Sequence, residues 1–370
     1  MTTTSAWIFP WDIVDHGVPL TAGLVRATGL DAVNVAVSYH SFFATVPDNP
    51  RRRIVELPRS AVYHRPDRAC WADSAVRPVV SPWVDEIGDA LTVGRRLATA
   101  ADCELTAWTV CLHNGLGRRY PELAVRTLWD ERVEAALCVA DPLVRAYVAT
   151  LVRDVGARAD RVQLESAYWM PLPHHGHAKL TGADPDTLAR LLSICFCAHC
   201  RRAAAAGGVD VDELVRRLRE RWVQAYRTPD GEPLSQVPGF VAYQEVRCAA
   251  VTSLVAELVR VCPVPVEFVS VGDRAVTGVR LADIERTGAA VRVLAYGPPE
   301  RVRAVLAAES LAPDRPDRLH LGLSLLPEHV PDEAVFRAMV AGTRTAPSLA
   351  FYHLGLVDQR RRRWTAVSDD

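Results

Sequence analysis

The chain is predicted to fold as one α/β domain, a (β/α)8 TIM barrel with long βα-loop insertions after its second and fourth strands. Three observations predict it. Eight short apolar runs alternate with longer amphipathic stretches along the whole sequence, and strand-then-helix alternation implies a parallel sheet covered by helices. No Gly-x-Gly-x-x-Gly follows the first run, which removes the usual reason to prefer a dinucleotide-binding open sheet. The 370 residues, 49% of them hydrophobic, are enough for one large core, and no linker-like tract divides them.

The strands are expected at 6–10, 32–38, 105–112, 162–165, 264–271, 291–295, 319–325 and 349–352. Helical periodicity fills 20–27, 83–100, 142–155, 211–226, 244–262, 302–311 and 332–341. The insertions run from Ser41 to Val80 and from Tyr168 to Leu192. Both extend βα loops and so belong on the C-terminal face, where barrel enzymes keep their sites. The barrel is expected over 1–358, with 359–370 as a polar, solvated tail.

A net charge of -1 argues against a dedicated nucleic-acid binder, which would show a basic face. No apolar run reaches the roughly 18 to 20 residues of a membrane span. The N-terminus lacks the pattern of a secretion signal. Nine cysteines, several of them single in apolar segments, suit a reduced, cytoplasmic protein better than a disulfide framework. The expected partner is a small carbohydrate-like molecule, with neither nucleic acid nor membrane; a homo-oligomer is compatible with the sequence.

The sharpest motif is Cys195-Phe196-Cys197-Ala198-His199-Cys200. Three thiols so close form a soft ligand set, and structural zinc takes four nitrogen or sulfur ligands in a tetrahedron. Polar and aromatic residues collect at the strand ends: Asp12, His40, His113, Asn114, Glu165, Tyr168, Trp169, Asp273, Tyr296 and Tyr352. Such a ring suits a polyhydroxylated ligand, whose apolar faces stack on aromatic rings while its hydroxyls meet carboxylates, imidazoles and amides. Glu165 ends an otherwise apolar strand, in the position that usually carries catalysis in a barrel. In the second insertion, the run from Pro173 to Lys179 contains three histidines and the sole lysine of the chain. His177 and Lys179 are candidates there for substrate hydrogen bonding.

Glu165 followed by Cys-x-Cys-x-x-Cys resembles family 42 of the glycoside hydrolases, TIM-barrel beta-galactosidases with a four-cysteine zinc site. In that family an earlier cysteine opens a Cys-x-x-(Ser)-Pro-x-(Tyr/Val)-Arg segment. This chain has Cys138-Val139-Ala140-Asp141-Pro142-Leu143-Val144-Arg145, then Val162-Gln163-Leu164-Glu165. The resemblance implies a structural zinc held by Cys138, Cys195, Cys197 and Cys200, and Glu165 as the general acid/base. The family places Asn before that glutamate, where this chain has Leu164, and a nucleophilic Glu at the end of the seventh strand, where it has Ser324. Glu328 follows a few residues later, and the second carboxylate is open among Asp12, Asp15, Asp273 and Glu328, with Asp273 and Glu328 taken as the catalytic candidates beside Glu165. A sugar isomerase or lyase using Glu165 with His113 or His40, and a non-catalytic carbohydrate-binding barrel, are the alternative readings.

Overall fold

The computed structural model describes residues 2–172, 179–271, 274–308, 319–343 and 346–366. Eight strands form the barrel: β1 (Thr3–Ile8), β2 (Ala32–Tyr39), β3 (Glu104–Val110), β4 (Arg161–Glu165), β5 (Val266–Ser270), β6 (Ala290–Leu294), β7 (Leu319–Ser324) and β8 (Ser348–Tyr352). All neighbours are parallel, and the sheet closes where β1 pairs with both β2 and β8. Thr3 lies opposite Ser348, and Ser5 opposite Ala32. Each strand overlaps an expected apolar run, β1 least closely, expected over 6–10 and found over Thr3–Ile8. Parallel barrel strands are covered on both faces, so they read as continuous apolar stretches without alternation.

Each strand leads to an outer helix: α1 (Val18–Ala27), α2 (Ala90–Ala101), α3 (Pro142–Gly156), α4 (Phe240–Val261), α5 (Leu281–Arg286), α6 (Pro299–Ala308), α7 (Glu333–Ala341) and α8 (Gln359–Arg363). The α3 start is set chemically. Pro142 occupies the first turn, and the Asp141 carboxylate accepts from the Leu143 and Val144 amides at 2.8 and 3.3 Å. The expected helix over 83–100 is instead two. Gly88, at φ +86°, ends Trp83–Ile87, and Asp89 caps a new helix through the Leu91 and Thr92 amides.

The insertions are larger than the sequence suggested. The excursion after β2 carries a hairpin (Phe42–Thr45 with Ile54–Leu57) and a short strand antiparallel to β2. The one after β4 runs to Gly239, because Ala198–Ala206 and Val211–Arg227 do not serve as barrel helices. Together with Pro185–Leu192 they build a small separate core around Leu191, Phe196, Leu214, Leu218 and Phe240. The loop after β3 is a third excursion, carrying a hairpin of Ala124–Arg126 with Arg132–Leu137. The segment after 358, expected as a solvated tail, instead begins with α8. Trp364 is buried against Phe336, and the Arg362 guanidinium binds the Leu354 and Val357 carbonyls.

Inside the barrel, a polar chain crosses between the strands. The Trp7 indole donates to Gln163 at 2.6 Å, Gln163 donates to Glu267 at 2.6 Å, and Arg292 grips both Glu267 oxygens at 2.8 and 2.9 Å. Burial alone would raise the Glu267 pKa, but Arg292 and His320 hold its carboxyl well below the usual range. Every link is paired, as a buried ionic layer requires.

Candidate active site and cysteine cluster

Glu165 is the last residue of β4, opposite Val110 of β3. Its Oε2 accepts from the Trp108 indole at 2.5 Å. Burial raises its pKa to about 7, against the opposing effect of that hydrogen bond. The acid is thus poised to hold a proton near neutrality, the condition for general-acid work.

Besides Tyr168, three phenols from other strand ends feel the Glu165 charge: Tyr39 from the end of β2, Tyr296 after β6 and Tyr352 from the end of β8. Burial pushes Tyr352 up to about 12 and the other two well above their usual value, so all three remain neutral hydroxyls. The Tyr39 and Tyr352 hydroxyls hydrogen-bond to each other. Trp108 packs edge-on to Tyr39 at 4.9 Å and to Tyr352 at 6.3 Å, and Tyr352 meets Tyr296 at 5.4 Å. Glu328 is exposed in the turn after β7, and its charge also acts on Tyr352. Two carboxylates from different strand ends therefore bear on one tyrosine.

Other expected site residues have other tasks. Asp12 is buried at 1% exposure in the helix Pro10–His16, bonds the Phe9 amide, and is covered by Gly355. A Cβ at Gly355 would overlap the Asp12 carboxyl, so only glycine lets the chain close there. Asn114 is a capping residue: its Oδ1 accepts from the Leu116 amide at 3.1 Å, and its amide donates to the Tyr147 hydroxyl. Trp169 is buried and donates to the Arg247 carbonyl, with the Arg247 guanidinium 5.4 Å above its ring. It is thereby occupied by the fold and offers no open platform. Tyr168 is buried against Phe268, close enough to Glu165 to feel its charge. His40 and His113 stack at 4.3 Å beside Tyr39. Lys179 is exposed. His177 and Asp273 lie outside the described residues.

Sequence reasoning missed Trp108, Trp7 and His329. Trp7 packs edge-on to both Trp108 and Tyr352. His329 bonds Ser324 at 2.9 Å and meets Tyr296 at 5.5 Å. A signal was present for the tryptophans, because each indole N–H inside an apolar strand needs an acceptor in the barrel interior.

The four cysteines converge. Cys138 Sγ lies 3.5 Å from Cys197 and from Cys200, Cys197 lies 3.6 Å from Cys200, and all four sulfurs fall within 4.8 Å of one another. A tetrahedron with metal–sulfur bonds of about 2.3 Å has edges of about 3.8 Å, so the set fits a metal ion. His199 is turned away toward Asp141 at 3.4 Å. The cluster joins the excursions after β3 and β4, since Cys138 directly follows the hairpin of Ala124–Arg126 with Arg132–Leu137 and Cys195 to Cys200 lead into the helix Ala198–Ala206. The Arg126 amide donates to Cys195 Sγ, the Phe196 amide to the Arg126 carbonyl, and the Tyr243 hydroxyl to the Cys195 carbonyl. The neighbouring sulfurs of Cys138, Cys195 and Cys200 favour the charged form of Cys197.

No family model matches the sequence, and no curated protein does. Solved structures do match in fold. The glycoside hydrolase domain of PgaB (BpsB) from Bordetella bronchiseptica superposes with TM-score 0.62 at 12% identity, covering 99% of this chain and 98% of that one. The beta-galactosidase of the psychrophilic Marinomonas ef1 gives 0.58 at 10%, covering 98% of this chain. The beta-galactosidase of Halorubrum lacusprofundi gives 0.58 at 14%, again over 98%. The chain spans 58% and 57% of those two galactosidases. The barrel is thus of the kind found in these glycoside hydrolases.

Proposed function

We propose that the protein is a glycoside hydrolase acting on a small carbohydrate, with Glu165 as its proton donor. The observation that carries this reading is the Glu165 carboxyl itself, held at the C-terminal end of β4 with a pKa raised to about 7 and with the neutral phenols of Tyr39, Tyr296 and Tyr352 within reach of its charge. A sugar offers hydroxyls to Tyr39, Tyr296 and Tyr352 and a departing oxygen to the acid. Glu328 is the second carboxylate in this reading. Its reach toward the site is supported by its effect on Tyr352, beside which Glu165 also acts.

In this reading the four thiolates hold a structural zinc. Four protein ligands leave no open position for catalytic water, so the ion pins the two excursions together and does no chemistry. A turnover screen over nitrophenyl and native glycosides tests the reading, with Glu165→Gln and Glu328→Gln alongside. Activity on at least one glycoside that both variants lose would support it. No hydrolysis anywhere in the panel would leave the isomerase and carbohydrate-binding readings ahead. The anomer first released, followed by NMR, then reports the geometry: retention implies carboxyls about 5 to 5.5 Å apart, inversion about 6.5 to 9.5 Å.

A further inference from the structure

A cavity of about 610 Å³ opens between the start of the chain and its last helix, lined by Ile8, Leu20, Leu24, Leu354, Asp12 and Arg362 among others. Neither Glu165 nor Trp108 lines it. Its volume is that of a small-molecule site, and such sites pair apolar walls with a few placed polar groups. The aliphatic wall comes from the end of β1, from α1 and from the turn that follows β8.

The polar group is Arg362, only 7% exposed. Its Nε is anchored on the Leu354 and Val357 carbonyls at 2.7 and 3.1 Å, which fixes the plane of the guanidinium. Its Nη2 is buried and has no hydrogen-bond partner among the described residues. A buried guanidinium edge left unpaired is costly, and a carboxylate is its natural partner. The carboxylates nearby do not supply one well. Asp48 and Asp358 are exposed at the rim and are taken up by the backbone amides of Gln359 and Arg361. Asp12 is buried, and burial raises its pKa to about 7, so it offers Arg362 only a partial charge near neutrality. His16, on the same wall, carries no compensating negative charge.

We propose that this cavity is a second binding site, separate from Glu165, for a small monocarboxylate with an apolar body. The carboxylate pairs with the unpartnered Nη2 of Arg362, and the hydrocarbon lies along Ile8, Leu20, Leu24 and Leu354. The site does not depend on the glycosidase reading.

Calorimetric titration of the purified protein with hexanoate, hexan-1-ol and hexylamine tests it. Hexanoate is expected to bind with a Kd of about 1 mM or tighter, at least about tenfold better than the alcohol or the amine. Arg362→Met should erase that preference, and Leu24→Trp, which fills the cavity while leaving Arg362 in place, should abolish hexanoate binding. If Arg362→Met does not fold, Leu24→Trp decides alone. Glu165→Gln should bind hexanoate unchanged. Failure of hexanoate to bind, equal binding of the alcohol, undiminished binding by Leu24→Trp, or loss of binding in Glu165→Gln would each overturn the proposal.

Discussion

At the scale of single residues, burial decides the chemistry. Glu165 and Asp12 both reach a pKa of about 7 because burial outweighs the hydrogen bonds that favour their anions. A carboxyl whose folded pKa exceeds its unfolded value stabilises the fold fully below the unfolded pKa and loses that contribution as pH rises through about 7. Glu165→Gln should therefore unfold at a higher temperature than the parent at pH 8 and at nearly the same temperature at pH 5. The gain at pH 8 is about 1 to 3 kcal/mol. Melting curves at the two pH values check this, and an equal effect at both would refute the buried-acid account. The position of Glu165 at a strand end was legible from the apolar run before it. The Trp108 contact was legible only as an indole N–H in need of an acceptor, because the sequence does not say which group supplies it. Trp169 shows the same ambiguity in the other direction: next to Tyr168 it looked like a sugar platform, yet Arg247 and the fold occupy both its face and its indole N–H.

Among the elements, the barrel strands and most helices were legible because burial on both faces leaves an unmistakable apolar run. The excursions were less so. Val211–Arg227 has the same amphipathic periodicity as a barrel helix, and periodicity reports that one face is covered without saying by what. Here it is covered by Leu191, Phe196 and Phe240 of the second small core. The break at Gly88 was likewise hidden within a continuous helical pattern. The cysteine cluster was legible in its spacing, and Cys138 came from the resemblance alone. Elemental analysis of protein purified without added metal should find about one zinc per chain, and Cys197→Ser should lose it. The binding energy of a structural ion contributes to folding, so the variant should melt at a lower temperature, with the hairpin Ala124–Leu137 exchanging its amides faster. A metal-free parent, or iron with visible absorbance, would contradict the zinc assignment.

For the whole molecule, the barrel is closed by pairing of its first and last strands and braced inside by a polar layer that the sequence did not announce. Gln163, Glu267 and Arg292 sit singly in apolar runs, and the side-by-side pairing of β4, β5 and β6 brings them together. Glu267→Gln leaves Arg292 buried without its counter-charge and should cost about 3 to 5 kcal/mol in urea unfolding. A loss below about 1 kcal/mol would mean that solvent or another group satisfies Arg292.

The central claim, that Glu165 donates a proton to a departing sugar oxygen, is tested most directly by the dependence of Glu165→Gln on the leaving group. A good leaving group such as dinitrophenolate departs without a proton, whereas an alkoxide needs one. The account predicts that kcat/KM of the variant falls by roughly 10²-fold or more on a methyl or native glycoside. On the matching dinitrophenyl glycoside it should fall far less, and the parent's decline in rate above about pH 7 should vanish. Equal losses on both substrates, or full activity on both, would contradict it.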